Sequence, residues 1–253
     1  MQLGMEKKVA LVTGAATGIG RAVALEFAKE KARVVLADVN QDVCAALCDT
    51  ITKSGGEAVW QKADVSSARA VEALIDFAVS KFGGLDMAVN NAGIQGELAS
   101  TVDCTEENWN RIIATNLTGV WLCMKYEIAA MLRRGKGSIV NIASNFGLVG
   151  SSRMPAYSAS KHGVVGLTKT ASIEFAPSGV RVNAVCPGPI DTPLVQAVVK
   201  DAPGLVDAIT SRVPIGRMGS PNEIAEAVVW LSSDRAAFAT GAILSVDGGY
   251  VAQ

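Results

Sequence analysis

The sequence predicts an α/β protein in which a doubly wound parallel sheet is covered by helices on both faces. Short β-branched runs alternate with longer helical patterns, and this alternation is typical of parallel strands joined by helices. The short runs are apolar almost throughout, as expected for strands that are buried on both faces. The chain has 253 residues, of which 49% are hydrophobic, so it can form one large core. We therefore expect a single domain over residues 1–253.

Seven strands are predicted from the runs rich in β-branched and apolar residues. In chain order they are Val9–Val12, Arg33–Ala37, Ala58–Gln61, Met87–Val89, Ser138–Ile142, Arg181–Val185 and Ile243–Val246.

Longer segments with apolar residues at helical spacing separate these strands. The predicted helices are Gly20–Lys31, Gln41–Lys53, Ser67–Phe82, Thr105–Met131 and Tyr157–Phe175. The glycine pairs Gly55-Gly56 and Gly83-Gly84 are stop signals for the second and third helices. The fourth segment is long enough for one extended or broken helix.

One segment has only loose patterning. Residues Pro189–Arg217 contain four prolines and no sustained apolar period. A structureless stretch of this size inside a compact domain is usually functional. We predict that 189–217 forms a lid over a substrate site.

The charge and composition exclude several classes of function. Lys plus Arg number 23 and Asp plus Glu number 24, so the net charge of −1 predicts no nucleic-acid or membrane partner. No run reaches the roughly 18 apolar residues of a membrane span, and no signal peptide is evident, so we expect a cytoplasmic protein. His162 is the only histidine, and the five cysteines are scattered, so neither a metal site nor a disulfide framework is expected.

A glycine-rich turn joins the first strand to the first helix. Residues Thr13–Gly20 read G-x-x-x-G-x-G from Gly14 onward. Glycines let backbone N–H groups and a helix N-terminus approach a pyrophosphate, which a Cβ atom would block. The spacing differs from the common G-x-G-x-x-G pattern, and an ordinary tight turn is the alternative. The position between a strand and a helix favours a dinucleotide loop.

Asp38 ends the second strand, 20 residues after Gly18. A carboxylate there can accept hydrogen bonds from the adenosine ribose hydroxyls and would repel the 2′-phosphate of NADP. The next residue is Val39 rather than arginine, so no cation is placed to bind that phosphate. The pattern predicts NAD(H) as the cofactor, while a simple turn residue is the alternative.

Tyr157 and Lys161 are four residues apart and share one helix face. A tyrosine ionises near pKa ~10, which is too high for a base at neutral pH. An ammonium about 5 Å away favours the phenolate by ~3 kcal/mol at an effective dielectric of ~20. This corresponds to a lowering of the pKa by roughly two units, which burial of the phenol partly offsets. So tuned, Tyr157 would act as a general acid or base. On spacing alone, an ordinary amphipathic pair would explain both residues.

Further motifs complete a pattern that resembles the short-chain dehydrogenase/reductase (SDR) family over essentially the whole chain. Thr13–Gly20 is similar to the family's TGxxxGxG, Asn90–Gly93 to NNAG, and Tyr157–Lys161 to YxxxK. Ser144 lies 13 residues before Tyr157, at the family position of the catalytic serine. Asn116 in its Asn-Leu-x-Gly context, Pro187-Gly188 and Val246–Gly249 also match. The resemblance implies a Rossmann-type fold that binds a dinucleotide and carries out catalysis in one domain.

The resemblance also implies roles. Tyr157 would be the general acid or base, Lys161 would lower its pKa and bind the nicotinamide ribose, and Ser144 would donate to the substrate oxygen. Asn116 would hold a water in a proton relay, or only satisfy backbone groups. The implied cofactor-binding residues are Gly14, Thr17, Gly18, Ile19, Gly20, Asp38, Asp64, Val65, Asn91, Ala92, Gly93, Tyr157, Lys161, Pro187, Gly188, Ile190 and Thr192. A homotetramer is implied through the helices that contain Trp109–Met131 and Tyr157–Phe175.

The candidate substrate pocket is mostly apolar and holds no cation. Its predicted members are Ile94, Gln95, Asn145, Phe146, Leu148, Val149, Met154, Pro189, Leu194, Val195 and Val198. This composition favours an uncharged secondary alcohol or ketone as the small-molecule substrate. The alternatives are a 3-oxoacyl thioester (acyl-carrier-protein) reductase that uses NADPH, against which Asp38 argues, and a non-catalytic dinucleotide-binding protein.

Overall fold

The computed structural model describes residues 3–199 and 204–253 and contains one parallel sheet of seven strands. The strands are β1 (Val9–Thr13), β2 (Arg33–Asp38), β3 (Glu57–Lys62), β4 (Met87–Asn90), β5 (Gly137–Ile142), β6 (Val180–Pro187) and β7 (Ile243–Val246). Their order in the sheet is β3-β2-β1-β4-β5-β6-β7, and every neighbouring pair is parallel. All seven strands were expected from the sequence, and the parallel α/β class is confirmed.

Helices cover both faces of this sheet. They are α1 (Gly18–Lys29), α2 (Gln41–Lys53), α3 (Ala68–Phe82), α4 (Glu106–Ile113), α5 (Gly119–Leu132), α6 (Pro155–Phe175), α7 (Pro193–Val199), α8 (Leu205–Thr210) and α9 (Pro221–Ser232). Side chains along β1 alternate between two apolar clusters. Ala10 and Val12 pack with α1, α2 and α9, whereas Val9 and Leu11 pack with α3, α5 and α6. This alternation explains why the strands are apolar at successive positions.

Helix α9 was not predicted, although its sequence carries a clear start signal. Ser220 and Glu223 form a reciprocal capping box, and Pro221 occupies the first turn. The buried side chains of Ile224 and Val228 then repeat at helical spacing.

The segment Pro189–Arg217 is not structureless, contrary to the expectation. It contains the short helices α7 and α8 on either side of residues outside the described ranges. Helices of six or seven residues are too short to show a clear apolar period, so the pattern gave no sign of them. The lid function of 189–217 stays a prediction.

The segment predicted as one extended or broken helix is interrupted by a π-helical turn. The turn, Ala114–Thr118, joins α4 to α5 without a break in the chain direction. Single π-helical turns of this kind occur often at functional sites. Asn116 lies within the turn and is fully buried.

A buried polar network ties α5 to the centre of the sheet. The Asn90 amide donates to Glu127 Oε2 and to Asn141 Oδ1, both at 3.0 Å, and the Asn141 amide donates to Thr168 at 2.9 Å. Glu127 has no solvent exposure, and burial raises the pKa of its carboxyl to about 8. Its second oxygen and Asn90 Oδ1 are buried without a hydrogen-bond partner in the described ranges. A protonated Glu127 is therefore the form that suits this site.

We expect Glu127→Gln to flatten the dependence of stability on pH. An unfolded glutamate ionises near pKa ~4.3, so between that pH and about 8 the folded protein holds a proton that the unfolded chain has lost. The free energy of unfolding of the wild type should thus fall by roughly 1 kcal/mol per pH unit in this window. Denaturant titrations from pH 5 to 8 measure this slope. Glu72→Gln, at an exposed position of α3, is the control, and an unchanged slope in Glu127→Gln would show that Glu127 is ionised in the fold.

In the described ranges, no helix combines the length and the apolar character needed to cross a membrane. Likewise, those residues contain no group of three or more His, Cys, Asp or Glu side chains placed to hold a metal ion.

Candidate active site

The predicted site residues gather at the carboxyl ends of the central strands. β1 and β4 are neighbours, and the strand order runs outward in opposite directions from this pair. The crevice at such a switch point is where open α/β sheets bind their ligands. Thr13 ends β1, Asn90 ends β4, Ser144 follows β5, and Pro187 ends β6. The fold thus brings together motifs that are far apart in the sequence.

The glycine-rich turn has no room for side chains at two of its positions. A Cβ atom at Gly14 would lie 2.8 Å from the Ala92 Cα atom, and one at Gly20 would lie 2.1 Å from the Gly14 carbonyl oxygen. Gly14 and Gly18 also have φ values of 63° and 54°, which favour glycine. The turn therefore leaves a backbone-lined cradle at the N-terminus of α1.

Asn91 and Ala92 hold this turn against the end of β4. The Asn91 side-chain amide donates to the carbonyl oxygens of Thr13 and Gly14 at 3.1 and 3.0 Å. In return, the hydroxyl oxygen of Thr13 accepts the backbone N–H groups of Asn91 and Ala92. This reciprocal bonding fixes the shape of the cradle. Of the other loop residues, Thr17 is the N-cap of α1, and its side chain makes no capping bond.

Asp38 lies directly beside the glycine-rich turn. One carboxylate oxygen accepts the backbone N–H of Ala16 at 3.0 Å, and the other accepts that of Asn40 at 2.9 Å. These two bonds fix the carboxylate at the carboxyl end of β2, where the sequence placed it. The adjacent Val39 is 60% exposed, so this position faces mostly solvent.

Asp64 and Val65 follow β3 and lie in different environments. Asp64 is exposed, and its carboxylate accepts both the backbone N–H and the hydroxyl of Ser66, at 2.9 and 2.7 Å. Val65 is buried against Gly119, where a Cβ atom would lie 2.8 Å from the valine. The structure therefore fixes both residues by contacts within the chain.

A cleft between β5, β6, α6 and α7 contains most of the predicted chemical groups. Its lining residues are Ile19, Asn91, Gly93, Ile142, Ala143, Ser144, Tyr157, Lys161, Pro187, Gly188, Ile190, Thr192, Leu194 and Val195. The cleft brings Ser144, Tyr157 and Lys161 together with part of the predicted cofactor-binding set, whereas Asn116 and the glycines of the glycine-rich turn lie outside its lining. Of the predicted substrate residues, Leu194 and Val195 belong to this lining.

The other predicted substrate residues lie outside this lining. Phe146 instead packs edge-on against Tyr250, with ring centroids 6.0 Å apart, and Met154 is the N-cap of α6. The residues concerned are Ile94, Gln95, Asn145, Phe146, Leu148, Val149, Met154 and Pro189. The side chain of Val198 lies outside the described residues. The apolar composition of this predicted set did not show which of its side chains line the cleft.

Lys161 is buried close to the ring of Tyr157. Its Nζ atom donates to the Ile142 carbonyl at 2.8 Å and lies 5.7 Å from the centre of the tyrosine ring. Burial lowers the pKa of Lys161 to about 8. Burial also raises the pKa of Tyr157, and the Ser144 hydroxyl lowers it in part. In the protein alone, desolvation of the phenol outweighs the Ser144 hydrogen bond, so the pKa of Tyr157 lies above its ordinary value rather than below it. The lowering of this pKa by Lys161 stays a prediction.

Asn116 supports the loop that follows β4. Its Oδ1 atom accepts the backbone N–H of Ile94, and its amide donates to the Ile94 carbonyl, both at 2.8 Å. A Cβ atom at Gly93 would lie 3.3 Å from Asn116 Oδ1 and 3.7 Å from Lys161 Nζ. The side chain thus satisfies backbone groups, the simpler of its two predicted roles, and the proton relay stays a prediction. His162 is exposed, and its Nδ1 atom lies 2.9 Å from the Ser158 carbonyl oxygen.

The family is decided by comparison with known proteins. A family model described as Enoyl-(Acyl carrier protein) reductase matches residues 14–251. The crystal structure of a short-chain type dehydrogenase/reductase from Mycobacterium marinum is 35% identical and superposes with a TM-score of 0.95, covering 100% of this chain and 98% of that one. The chain belongs to the short-chain dehydrogenase/reductase family. As an SDR protein it is an oxidoreductase that acts on CH–OH groups or on the corresponding carbonyls.

Relatives of this SDR protein carry out related chemistry. It is 44% identical to the cyclohexanol dehydrogenase of Acinetobacter sp. (strain SE19), covering 97% of this chain and 96% of the relative. It is 46% identical to the cis-4-hydroxycyclohexanecarboxylate dehydrogenase of Sinomonas cyclohexanicum, covering 97% of both chains. A 3-oxoacyl-[acyl-carrier-protein] reductase of Thermotoga maritima is 37% identical, with 98% and 99% covered.

Proposed function

We propose that this SDR protein interconverts an uncharged cyclic secondary alcohol and its ketone, with NAD(H) as cofactor. The observation that carries the proposal is the meeting of Ser144, Tyr157 and Lys161 in one cleft with the apolar side chains of Ile190 and Leu194. The relatives named for cyclohexanol and a hydroxycyclohexanecarboxylate support a cyclic secondary alcohol as substrate. Of the two named substrates, cyclohexanol is the uncharged one, and the absence of charge rests on the apolar lining of the cleft.

The residues at the switch point fit a nicotinamide dinucleotide. The backbone cradle at Gly14 and Gly20, which a Cβ atom would fill, suits a pyrophosphate at the N-terminus of α1. The nicotinamide end would lie in the cleft beside Lys161, Ile190 and Thr192. When bound, the nicotinamide supplies the hydride acceptor or donor.

The chain's own contribution is to hold and move one proton. In ketone reduction, the Tyr157 hydroxyl gives its proton to the substrate oxygen, and the Ser144 hydroxyl donates a hydrogen bond to the same oxygen. A raised pKa keeps Tyr157 protonated at neutral pH, which suits this direction. In alcohol oxidation, Tyr157 must first be ionised, and the Lys161 ammonium then stabilises the phenolate.

The choice of NAD over NADP rests on Asp38. Its carboxylate accepts two backbone N–H groups at the edge of the cradle, which supports a role as acceptor for the ribose hydroxyls. A 2′-phosphate at this position would meet a negative charge and the apolar Val39.

The alternative is the reduction of a 3-oxoacyl thioester with NADPH. The Thermotoga maritima relative and the description of the family model are the observations that favour it. Among the described residues that line the cleft, Lys161 is the one cation, so the cleft gives little electrostatic attraction for an anionic carrier. We therefore rank the secondary alcohol first.

A homotetramer in the cytoplasm completes the proposal. The helices of the expected subunit interface carry Trp109 and Trp121, which are 40% and 47% exposed and so are available to a partner, although Trp60 and Trp230 are exposed to a similar extent. Sedimentation of the purified protein would measure the number of subunits.

An absorbance assay of nicotinamide reduction and oxidation tests the proposed activity. NAD and NADP are each paired with cyclohexanol, cyclic diols and acyclic secondary alcohols, and NADH and NADPH with the ketones and an acetoacetyl thioester. Turnover of NAD with cyclic alcohols is the expected result. Turnover confined to NADPH and the thioester would replace the proposal by the alternative, and no turnover with any pair would support the non-catalytic dinucleotide-binding protein.

A further inference from the structure

Asn145, Ser144 and Phe146 are joined by three hydrogen bonds. The Ser144 hydroxyl donates to Asn145 Oδ1 at 3.0 Å, and the Phe146 backbone N–H donates to the same oxygen at 2.9 Å. The Phe146 N–H is also 3.1 Å from Ser144 Oγ. The Asn145 residue is 3% exposed, so water does not compete for these bonds.

The orientation of the Asn145 amide is set by its neighbours. A backbone N–H can only donate, so the Phe146 N–H requires the amide oxygen, rather than the amide nitrogen, on its side. The Asn145 Nδ2 atom is thereby buried with no hydrogen-bond partner in the described ranges. An apolar side chain would fill the same space without an unpaired donor. The feature that distinguishes asparagine here is the oxygen that it presents to Ser144.

That oxygen competes for a proton which the reaction needs. The Ser144 hydroxyl has one proton, and while Asn145 accepts it, the proton is not available to another acceptor. The other acceptors are Tyr157, whose pKa a Ser144 hydrogen bond lowers, and the substrate oxygen in the proposed reaction. Asn145 therefore weakens the support that Ser144 gives to the tyrosine phenolate.

We propose that Asn145 is a positioning residue, whose side-chain oxygen competes with Tyr157 for the proton of the Ser144 hydroxyl until a substrate oxygen takes that proton. The proposal rests on the function proposed above and adds a residue through which Ser144 is controlled. Asn145 itself need not touch the substrate. Its effect passes through the direction of one hydroxyl group.

Asn145→Leu and Asn145→Asp test the proposal in opposite directions. Leucine removes the acceptor, while the Phe146 N–H keeps Ser144 Oγ as its partner, so the Ser144 proton becomes free for Tyr157. We expect the pH midpoint of kcat/KM for alcohol oxidation to fall by about half a unit or more, the worth of one net hydrogen bond. Aspartate accepts more strongly and adds a negative charge, so its midpoint should rise.

A second measurement does not depend on turnover. The absorbance of tyrosinate is followed as a function of pH in the wild type and in Asn145→Leu. Each titration is repeated in the same protein with Tyr157→Phe added. Subtracting the second curve from the first gives the ionisation of Tyr157 alone. The midpoint for Asn145→Leu should lie below that of the wild type. In a Ser144→Ala background, Asn145→Leu should no longer change the tyrosinate midpoint, because the effect passes through the serine hydroxyl.

Each result has a defined meaning. An unchanged midpoint in Asn145→Leu, or a shift that persists with Ser144→Ala, would overturn the role of Asn145. A wild type that oxidises no alcohol, yet shows the shifted tyrosinate midpoint in Asn145→Leu, would contradict the proposed function while retaining the positioning role. The two failures are therefore distinguishable.

Discussion

Tyr157→Phe is expected to lower kcat at least about 100-fold in both directions, because it removes the only hydroxyl that exchanges a proton with the substrate oxygen in the proposed mechanism. The phenylalanine ring keeps the packing of the tyrosine, including the face that lies 5.7 Å from Lys161 Nζ. Binding of the cofactor should therefore change little. Steady-state kinetics and a fluorescence titration with NADH measure these two quantities separately.

Tyr126→Phe is the matched control for this substitution. Tyr126 lies on α5, where its ring contacts the Lys125 ammonium at 5.1 Å, and it is not among the described residues that line the cleft. It should retain the activity of the wild type. Activity of Tyr157→Phe close to that of the control would assign the proton transfer to another group. Loss of NADH binding in Tyr157→Phe would instead indicate that the hydroxyl is needed to bind the cofactor.

The fold was predictable where burial imposes a repeating pattern. Each strand lies between two helical layers, so each appears as an apolar run, and β1 shows how one run supplies two cores. Helix α9 has comparable sequence signals, since Ser220 and Glu223 form a capping box and apolar residues follow at helical spacing. Helices α7 and α8 are different, since a segment of six or seven residues cannot establish a helical period.

The positions of the site residues at the strand ends were predictable, but those of most substrate-pocket residues and the energetics of the site were not. Parallel strands place their carboxyl ends at one edge, so motifs that end strands must meet there. The pKa of Tyr157 depends on how much solvent the folded protein removes, and spacing along a helix carries no such information. The bond between Ser144 and Asn145, and the network around Glu127, depend in the same way on side-chain directions that only packing decides.

Asp38→Ser combined with Val39→Arg should shift the ratio of kcat/KM for NADP over NAD by about 100-fold or more toward NADP. Serine removes the negative charge that repels the 2′-phosphate but retains an oxygen that can accept the Ala16 N–H. Arginine adds a charge-assisted partner for the phosphate, and each of the two changes is worth roughly a factor of 10. Val39 is 60% exposed, so the longer side chain needs no repacking of the core.

Controls separate this local effect from the change in overall charge. Asp42→Ser removes an exposed carboxylate from the first turn of α2, and should leave the cofactor ratio unchanged because Asp38, not Asp42, accepts the Ala16 N–H of the glycine-rich turn. Val39→Arg alone should give an intermediate ratio, because the Asp38 carboxylate still opposes the phosphate and can also pair with the new arginine. A double variant that still prefers NAD as strongly as the wild type would show that Asp38 does not lie at the adenosine ribose. The cradle at Gly14 would then have to hold the dinucleotide in a different direction from the one proposed.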